Sequence, residues 1–185
     1  MHAVVLGIVQ GLSEFLPISS SGHLAVVPWL FHWNELESNA SLNRTFDVAL
    51  HMGTFVGAAA YFWNDLVRLV GAAWTSLRHR RVEGDDQRLA WLLVVASLPA
   101  ATIGVVIDSA LEGHYGPVWL IGVMLIVFGL LLWYVDRLLG HRAAADFTLR
   151  DALLMGFGQA LALQSGVSRS GVTISVGRWV RFDRD

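Results

Sequence analysis

Residues 7–22 read GIVQGLSEFLPISSSG, and residues 156–171 read GFGQALALQSGVSRSG. Gly7, Gln10, Leu12, Ser19, Ser21 and Gly22 recur 149 positions later as Gly156, Gln159, Leu161, Ser168, Ser170 and Gly171, and Val167 answers Ile18. Each block sets glycine and a run of hydroxyls inside an otherwise apolar stretch. Paired interruptions of this kind in the two halves of a membrane protein point to its binding site. The copies differ in what they carry: Glu14 and His23 belong to the first, Arg169 to the second. The repeat is therefore one of form, with complementary chemistry.

Composition decides the solvent. The chain is 55% hydrophobic and 15% charged, against about 25% charged residues in soluble domains, and its mean hydropathy is +0.53. Eight Trp and nine Phe agree, because aromatic residues gather at bilayer interfaces. No Cys is present, which removes disulfides, thiolate nucleophiles and Cys-based metal sites. Lys is absent as well, and a net charge of −2 gives no reason to expect nucleic acid. The first apolar run has no preceding Lys or Arg and is interrupted by Gln10 and Glu14, so it does not read as a cleaved signal peptide.

Three stretches read as spans: 48–63, 89–107 and 117–135. Nineteen helical residues rise about 28 Å, close to the ~30 Å hydrocarbon thickness. Arg68, Arg78, Arg80, Arg81 and Arg88 lie in 64–88, and Arg137, Arg142 and Arg150 in 136–150, whereas 108–116 holds Asp108 and Glu112 without Arg. The positive-inside rule makes the first two loops cytoplasmic and the third external. It also places 32–46, with Glu35, Glu37 and Arg44, outside. The amphipathic stretch 64–83, with Trp74 and the Arg78–Arg81 cluster, reads as an interfacial helix.

The repeat blocks are too interrupted to be ordinary spans. Each reads as half-helix, break, half-helix: 2–14 then 20–31, and 149–163 then 170–180. Thr148 and Asp151 form a capping box for the second pair. With three spans between them, the hairpins 2–31 and 149–180 enter from opposite faces and meet near the midplane. The expected fold is all-α: one polytopic membrane domain, 1–185, with inverted-topology repeats and two re-entrant helical hairpins.

The chemistry concentrates at the two breaks. Glu14 follows Gln10 by four residues, so both share a helix face, and an intramembrane carboxylate implies a function or a named partner. Capping, or a structural pair with Arg169, is the plainer account. Ser19, Ser20 and Ser21 at a helix start offer an anion site, and His23 could act as base, acid or nucleophile. In the second break Arg169 suits bidentate phosphate binding, with Ser168, Ser170 and Thr173 beside it. Together these residues suggest phosphoryl transfer. Asp47 and His51, i and i+4 at the external end of the first span, could line a site entrance, but N-terminal helix stabilisation by Asp47 is the simpler account, and both stay outside the core assignment.

These motifs resemble the signatures of the undecaprenyl-pyrophosphate phosphatase, or bacitracin-resistance, family. Gln10-x-x-x-Glu14 resembles its acidic motif, Pro17-x-Ser19-Ser20-Ser21-Gly22-His23 its serine–histidine run, and Gly166-Val167-Ser168-Arg169-Ser170-Gly171 its arginine motif. Phe46-Asp47-Val48 and the glycine-rich first span are similar too. The resemblance implies a multi-pass enzyme of the bacterial inner membrane, surrounded by membrane lipids, that hydrolyses undecaprenyl pyrophosphate to the monophosphate and so recycles the carrier for peptidoglycan synthesis. It implies a divalent cation, Mg²⁺ or Ca²⁺, with Glu14 as metal residue. Glu14, His23, Ser20 and Arg169 are its implied catalytic residues, and Gln10, Ser19, Ser21, Ser168, Ser170 and Thr173 bind substrate. A homodimer is left open.

Two departures stand out: Ser165 replaces the Pro that usually opens the arginine motif, and Gln10 stands where many members have Glu. Family members continue through further membrane helices after that motif. We therefore expect a C-terminally incomplete domain, unstable or weakly active as these 185 residues alone.

Two other readings compete. Ser21-Gly22-His23 and Ser168-Arg169 superficially fit the lipid-phosphate phosphatases of the phosphatidic acid type. The His required six residues after the Arg is Ser175, however, and the Lys that class uses is missing. A polyprenyl-phosphate transporter could use the same midplane site.

Overall fold

The computed structural model describes residues 2–33, 40–111 and 117–184. Among them the chain forms eight α-helices and no strand: α1 His2–Phe15, α2 Ser20–Leu30, α3 Ala40–Tyr61, α4 Trp63–His79, α5 Asp85–Leu111, α6 Val118–Val135, α7 Leu149–Leu161 and α8 Arg169–Trp179. Glu35, Glu37 and Glu112, used above to orient the loops, lie outside the described residues.

α5 and α6 contain the expected second and third spans. They are the two helices among the described residues that are long and apolar enough to cross a membrane, and fewer than one in five residues of either apolar window is buried inside the protein. A core helix of a soluble protein buries its apolar face against its own chain, whereas a helix that is apolar all round needs an apolar solvent. Asp85 and Asp86 occupy the first turn of α5, where the helix dipole favours negative charge.

α3 begins eight residues before the expected edge at Val48. Hydropathy locates where a helix becomes apolar, and Asn43, Arg44 and Asp47 are polar without breaking a helix. α3 and α4 are nearly continuous through Phe62, whose N–H donates to Ala58 O and whose carbonyl accepts from Leu66 N. α4, the expected interfacial helix, ends at Arg80, which takes a left-handed φ of 52°. Its outer face leaves Trp63, Val70 and Trp74 exposed, while Ser76 on the inner face accepts from Trp91 Nε1 at 3.1 Å.

Both helix–break–helix pairs form, α1 with α2 and α7 with α8. Each second helix is capped alike: Ser19 Oγ accepts from Gly22 N at 3.3 Å, and Ser168 Oγ accepts from Gly171 N at 3.1 Å. The Thr148–Asp151 capping box starts α7 as expected. Asp151 is buried and takes a bidentate pair from Arg142, at 2.6 and 3.0 Å. That guanidinium and the Thr148 hydrogen bonds hold its carboxyl at about 2, below the usual carboxylate range.

α7 crosses α5 beside Pro99, which lies within the continuous helix. A methyl group on Gly156 would lie 2.7 Å from Ala96 O and 2.8 Å from the Pro99 ring, so the two backbones approach as only glycine permits. Gln159 Nε2 donates to the same Ala96 carbonyl at 3.4 Å. Leu92, Ala96, Phe147 and Ala152 form the apolar cluster beneath this crossing.

Candidate active site

The two breaks touch each other, and they do so reciprocally. A methyl group on Gly22 would lie 3.3 Å from Gly166 Cα, and one on Gly171 would lie 3.1 Å from Pro17 O. At the repeat spacing Gly171 is the counterpart of Gly22, and Gly166 the counterpart of Pro17. The contact from copy one to copy two is thus answered by its equivalent in the other direction, the pattern of a self-complementary two-fold interface. Ser170 Oγ also reaches Leu16 O at 3.5 Å. Glycine suits these points because a methyl group would press on the facing break at 3.1–3.3 Å.

In the first break Glu14 is the hub. Its Oε2 accepts from Gln10 Nε2 at 2.8 Å and from Ser20 Oγ at 2.5 Å. Gln10 itself is 1% exposed, and its Oε1 has no hydrogen-bond partner. Ser20 opens α2 and Arg169 opens α8; the repeat spacing makes them counterparts, so one position supplies a hydroxyl in one copy and a guanidinium in the other. Both helix N-termini carry the partial positive charge that draws anions. In the second break Ser168 and Ser170 hydroxyls are 3.1 Å apart, and Thr173 Oγ1 donates to Arg169 O at 2.9 Å.

Two adjoining cavities meet at these residues. One, of about 710 Å³, is lined with hydroxyls: Ser19, Ser20, Ser21, Ser168, Ser170 and Thr173 surround it with Glu14 and Arg169. The other, of about 740 Å³, runs between Leu24, Val48, Met52, Phe55 and Ile121. Glu14, Ser21, His51, Ser165 and Arg169 line both, and so form a waist between a chamber rich in hydroxyls, which Leu163, Val167 and Ile174 also line, and a more apolar one. This shape accommodates an amphiphile with an anionic head.

The expected residues are therefore largely gathered in one place, with two exceptions. Gln10 lines neither chamber and stands behind Glu14. His23 lies against a third cavity, of about 290 Å³, formed with Pro17, Leu125, Phe128, Gly166 and Ser168. Its Nδ1 is 2.8 Å from Ser19 O.

His51 is the residue that sequence reasoning left out of the site. Its Nε2 is 3.8 Å from Glu14 Oε2, and its Nδ1 is 2.8 Å from Asp47 O. A carbonyl can only accept, so Nδ1 carries the hydrogen and the lone pair of the neutral ring is on Nε2, facing Glu14. An imidazole within an apolar helix was the available signal. What hid its role was the packing of α3 on α1, which one-dimensional spacing does not contain. Among the described residues no group of three or more His, Asp or Glu side chains could hold a metal ion.

Comparison with known proteins identifies the family. A family model described as "Bacitracin resistance protein BacA" matches residues 3–185. An undecaprenyl-diphosphatase of Pelotomaculum thermopropionicum is 45% identical over 185 residues, covering 100% of this chain and 66% of its own. One from Moorella thermoacetica is 42% identical over 186 residues, covering 100% of this chain and 67% of its own. One from Geobacter sulfurreducens is 44% identical over 187 residues, with shares of 100% and 67%. The chain spans about two thirds of the length of these curated relatives. With its motifs on facing breaks and the family model covering nearly every residue, the chain belongs to the bacitracin resistance protein BacA family.

Proposed function

We propose that this chain carries the active site of a membrane-embedded phosphatase that hydrolyses undecaprenyl pyrophosphate to undecaprenyl phosphate and inorganic phosphate. The observation that carries the reading is the shared waist: Glu14 and Ser21 from one break, Ser165 and Arg169 from the other, between a hydroxyl-lined chamber and an apolar one. The isoprenoid follows the apolar chamber and the pyrophosphate enters the polar one. The relatives named undecaprenyl-diphosphatase support the substrate.

Hydrolysis of a phosphoanhydride needs little covalent work from a protein beyond positioning and charge stabilisation. Arg169 holds the terminal phosphate as a planar fork, with the Ser168, Ser170 and Thr173 hydroxyls beside it and Ser19 and Ser21 opposite. The Ser20 hydroxyl already donates to Glu14, so the carboxylate takes its proton as the oxygen attacks the terminal phosphorus. The bond to the bridging oxygen breaks, and the proton passes to the departing lipid phosphate. Water, deprotonated by the same carboxylate, then attacks the phosphorus on Ser20; the P–Oγ bond breaks, the proton returns from Glu14 to Ser20 Oγ, and inorganic phosphate leaves. Gln10 orients Glu14 through its amide.

A divalent cation belongs to this reading. Mg²⁺ binds through one or two carboxylates together with substrate phosphates, and Ca²⁺ likewise takes oxygen ligands. Glu14, with the Ser20 hydroxyl beside it, fits a cation shared with the substrate and not a cage made by protein alone. Such an ion would neutralise charge on the phosphate oxygens when bound.

We place the protein in the bacterial inner membrane as a multi-pass domain. The hairpins 2–31 and 149–180 re-enter from opposite faces around the spans 48–63, 89–107 and 117–135. The reciprocal contact between the breaks supports an inverted repeat, because irregular backbone at membrane depth is tolerated where protein buries it or where it lines a wet cavity. The test is phosphate release from undecaprenyl pyrophosphate by the full-length protein in detergent, alongside liposomes that report headgroup movement. Phosphate release that disappears in Ser20→Ala supports the enzyme. Headgroup movement without phosphate release would replace it with a transporter.

A further inference from the structure

His23 is the one strongly chemical side chain of the first break that does not reach the waist. It lines neither chamber, and none of Glu14, Ser20 and Arg169 lines the cavity into which it projects. Its bond to Ser19 O gives it a different task.

Ser19 has φ 65° and ψ 98°, on the left-handed side where non-glycine residues are strained and persist only when their surroundings hold them. Two groups of one residue hold it. The Ser19 carbonyl accepts the His23 backbone N–H at 3.2 Å and the imidazole at 2.8 Å. The carbonyl cannot donate, so the ring hydrogen is on Nδ1.

The second copy is a control inside the same molecule. There the counterpart of His23 is Val172, a buried apolar residue packed toward Gly158. The counterpart of Ser19 is Ser168, whose φ is an ordinary −78°. Positive φ in that break falls on Gly166, at 92°, where no anchor is needed because glycine carries no Cβ. The strained serine and the imidazole occur together, and in the other copy both are absent. The next residue after Ser19 is Ser20, whose hydroxyl reaches Glu14.

We propose that His23 is a positioning residue. By donating Nδ1–H to the Ser19 carbonyl it pins the left-handed turn, and the turn sets the Ser20 hydroxyl against Glu14. It takes no part in bond making. This inference rests on the phosphatase reading, in which Ser20 is the reacting hydroxyl.

The experiment compares His23→Ala, His23→Asn, Ser19→Gly and Ser19→Gly/His23→Ala in the full-length protein, measuring phosphate release from undecaprenyl pyrophosphate, with Arg169→Ala alongside. Misplacement of a reacting group by about 1 Å costs about 100-fold in rate, so His23→Ala should lose kcat on that order while KM stays within about threefold. Asn presents an N–H at the place of Nδ1, so His23→Asn should return kcat to within about fivefold of wild type. Glycine at position 19 removes the strain, so the loss caused by His23→Ala should shrink at least about tenfold in that background, a coupling that a double-mutant cycle reads directly.

If His23→Asn is as inactive as His23→Ala, or if the His23→Ala loss is unchanged beside Ser19→Gly, the imidazole acts on substrate and the proposal is wrong. It is equally wrong if His23→Ala keeps full activity. Should His23→Ala fail to fold, the His23→Asn rate decides alone. Undiminished activity in Arg169→Ala would instead overturn the phosphatase site itself, which keeps the two failures apart. A readout independent of turnover is the ¹⁵N spectrum of the histidines: His23 should show the Nδ1-protonated tautomer and should not shift when inorganic phosphate is added.

Discussion

Gly166 shows how much a single position in a break can decide. Its φ of 92° suits glycine, and a methyl group there would lie 2.7 Å from Ile121 O and 3.0 Å from Met124 Cβ. Two costs combine: backbone strain at positive φ, of about 1–3 kcal/mol, and a clash with backbone that cannot rotate away. We predict that Gly166→Ala lowers the thermal midpoint in detergent by several degrees and lowers turnover at least about tenfold. Gly122→Ala, where a methyl group meets nothing within 4 Å, should leave both unchanged, and parallel unfolding scans check the pair. Glycine in an arginine motif was visible in the sequence, but the carbonyl of α6 that it must pass was not. His51 shows the same divide from the other side. Its spacing from Asp47 is local and readable, while its approach to Glu14 depends on how α3 packs against α1.

At the scale of elements, the ends of α1, α2, α7 and α8 were legible to within one or two residues. The reason is local chemistry: Ser19, Thr148 and Ser168 each accept an N–H in the first turn of the helix that follows, and such caps are written in adjacent residues. Arg142, which completes the cap of α7 through Asp151, sits in a loop without periodicity, and nothing in the sequence pairs the two. α3 begins eight residues before the apolar stretch 48–63 because apolar content and helical content change at different residues. The α7 anchor gives a prediction with a definite sign. Asp151 titrates near 2 in the folded protein against about 3.9 in an unfolded chain. Its contribution is complete above about pH 5 and is lost as pH falls toward about 2, and amounts to between about 2 and 3 kcal/mol. In Asp151→Asn that part of the acid dependence should vanish, so unfolding midpoints measured from about pH 5 to 2 should fall less steeply than in wild type, from a lower starting value.

For the whole molecule, the all-helical class followed from composition and from the length of two apolar runs, which are one-dimensional properties. The meeting of the breaks follows from Gly22 packing against the Gly166 backbone and Gly171 against the Pro17 carbonyl, a long-range fact. The chain has no cysteine, so single introduced thiols can report its orientation. Under the proposed topology, a membrane-impermeant maleimide added to intact spheroplasts should label His32→Cys and spare Arg80→Cys and Leu139→Cys, which should react only after permeabilisation. The reverse pattern would invert the topology, and labelling of all three from one side would rule out the inverted repeat.

The central claim is that two breaks, each incomplete, make one phosphate site. A double-mutant cycle on Glu14 and Arg169 tests it most directly, read as the rate of phosphate release from undecaprenyl pyrophosphate. If the pair acts as a unit, Glu14→Gln and Arg169→Ala should each lose about 100-fold or more, and the double variant should be no more than about threefold worse than the weaker single, since residues acting together are strongly non-additive. A double variant whose loss is the product of the two single losses, or an Arg169→Ala variant with near wild-type turnover, would contradict the account.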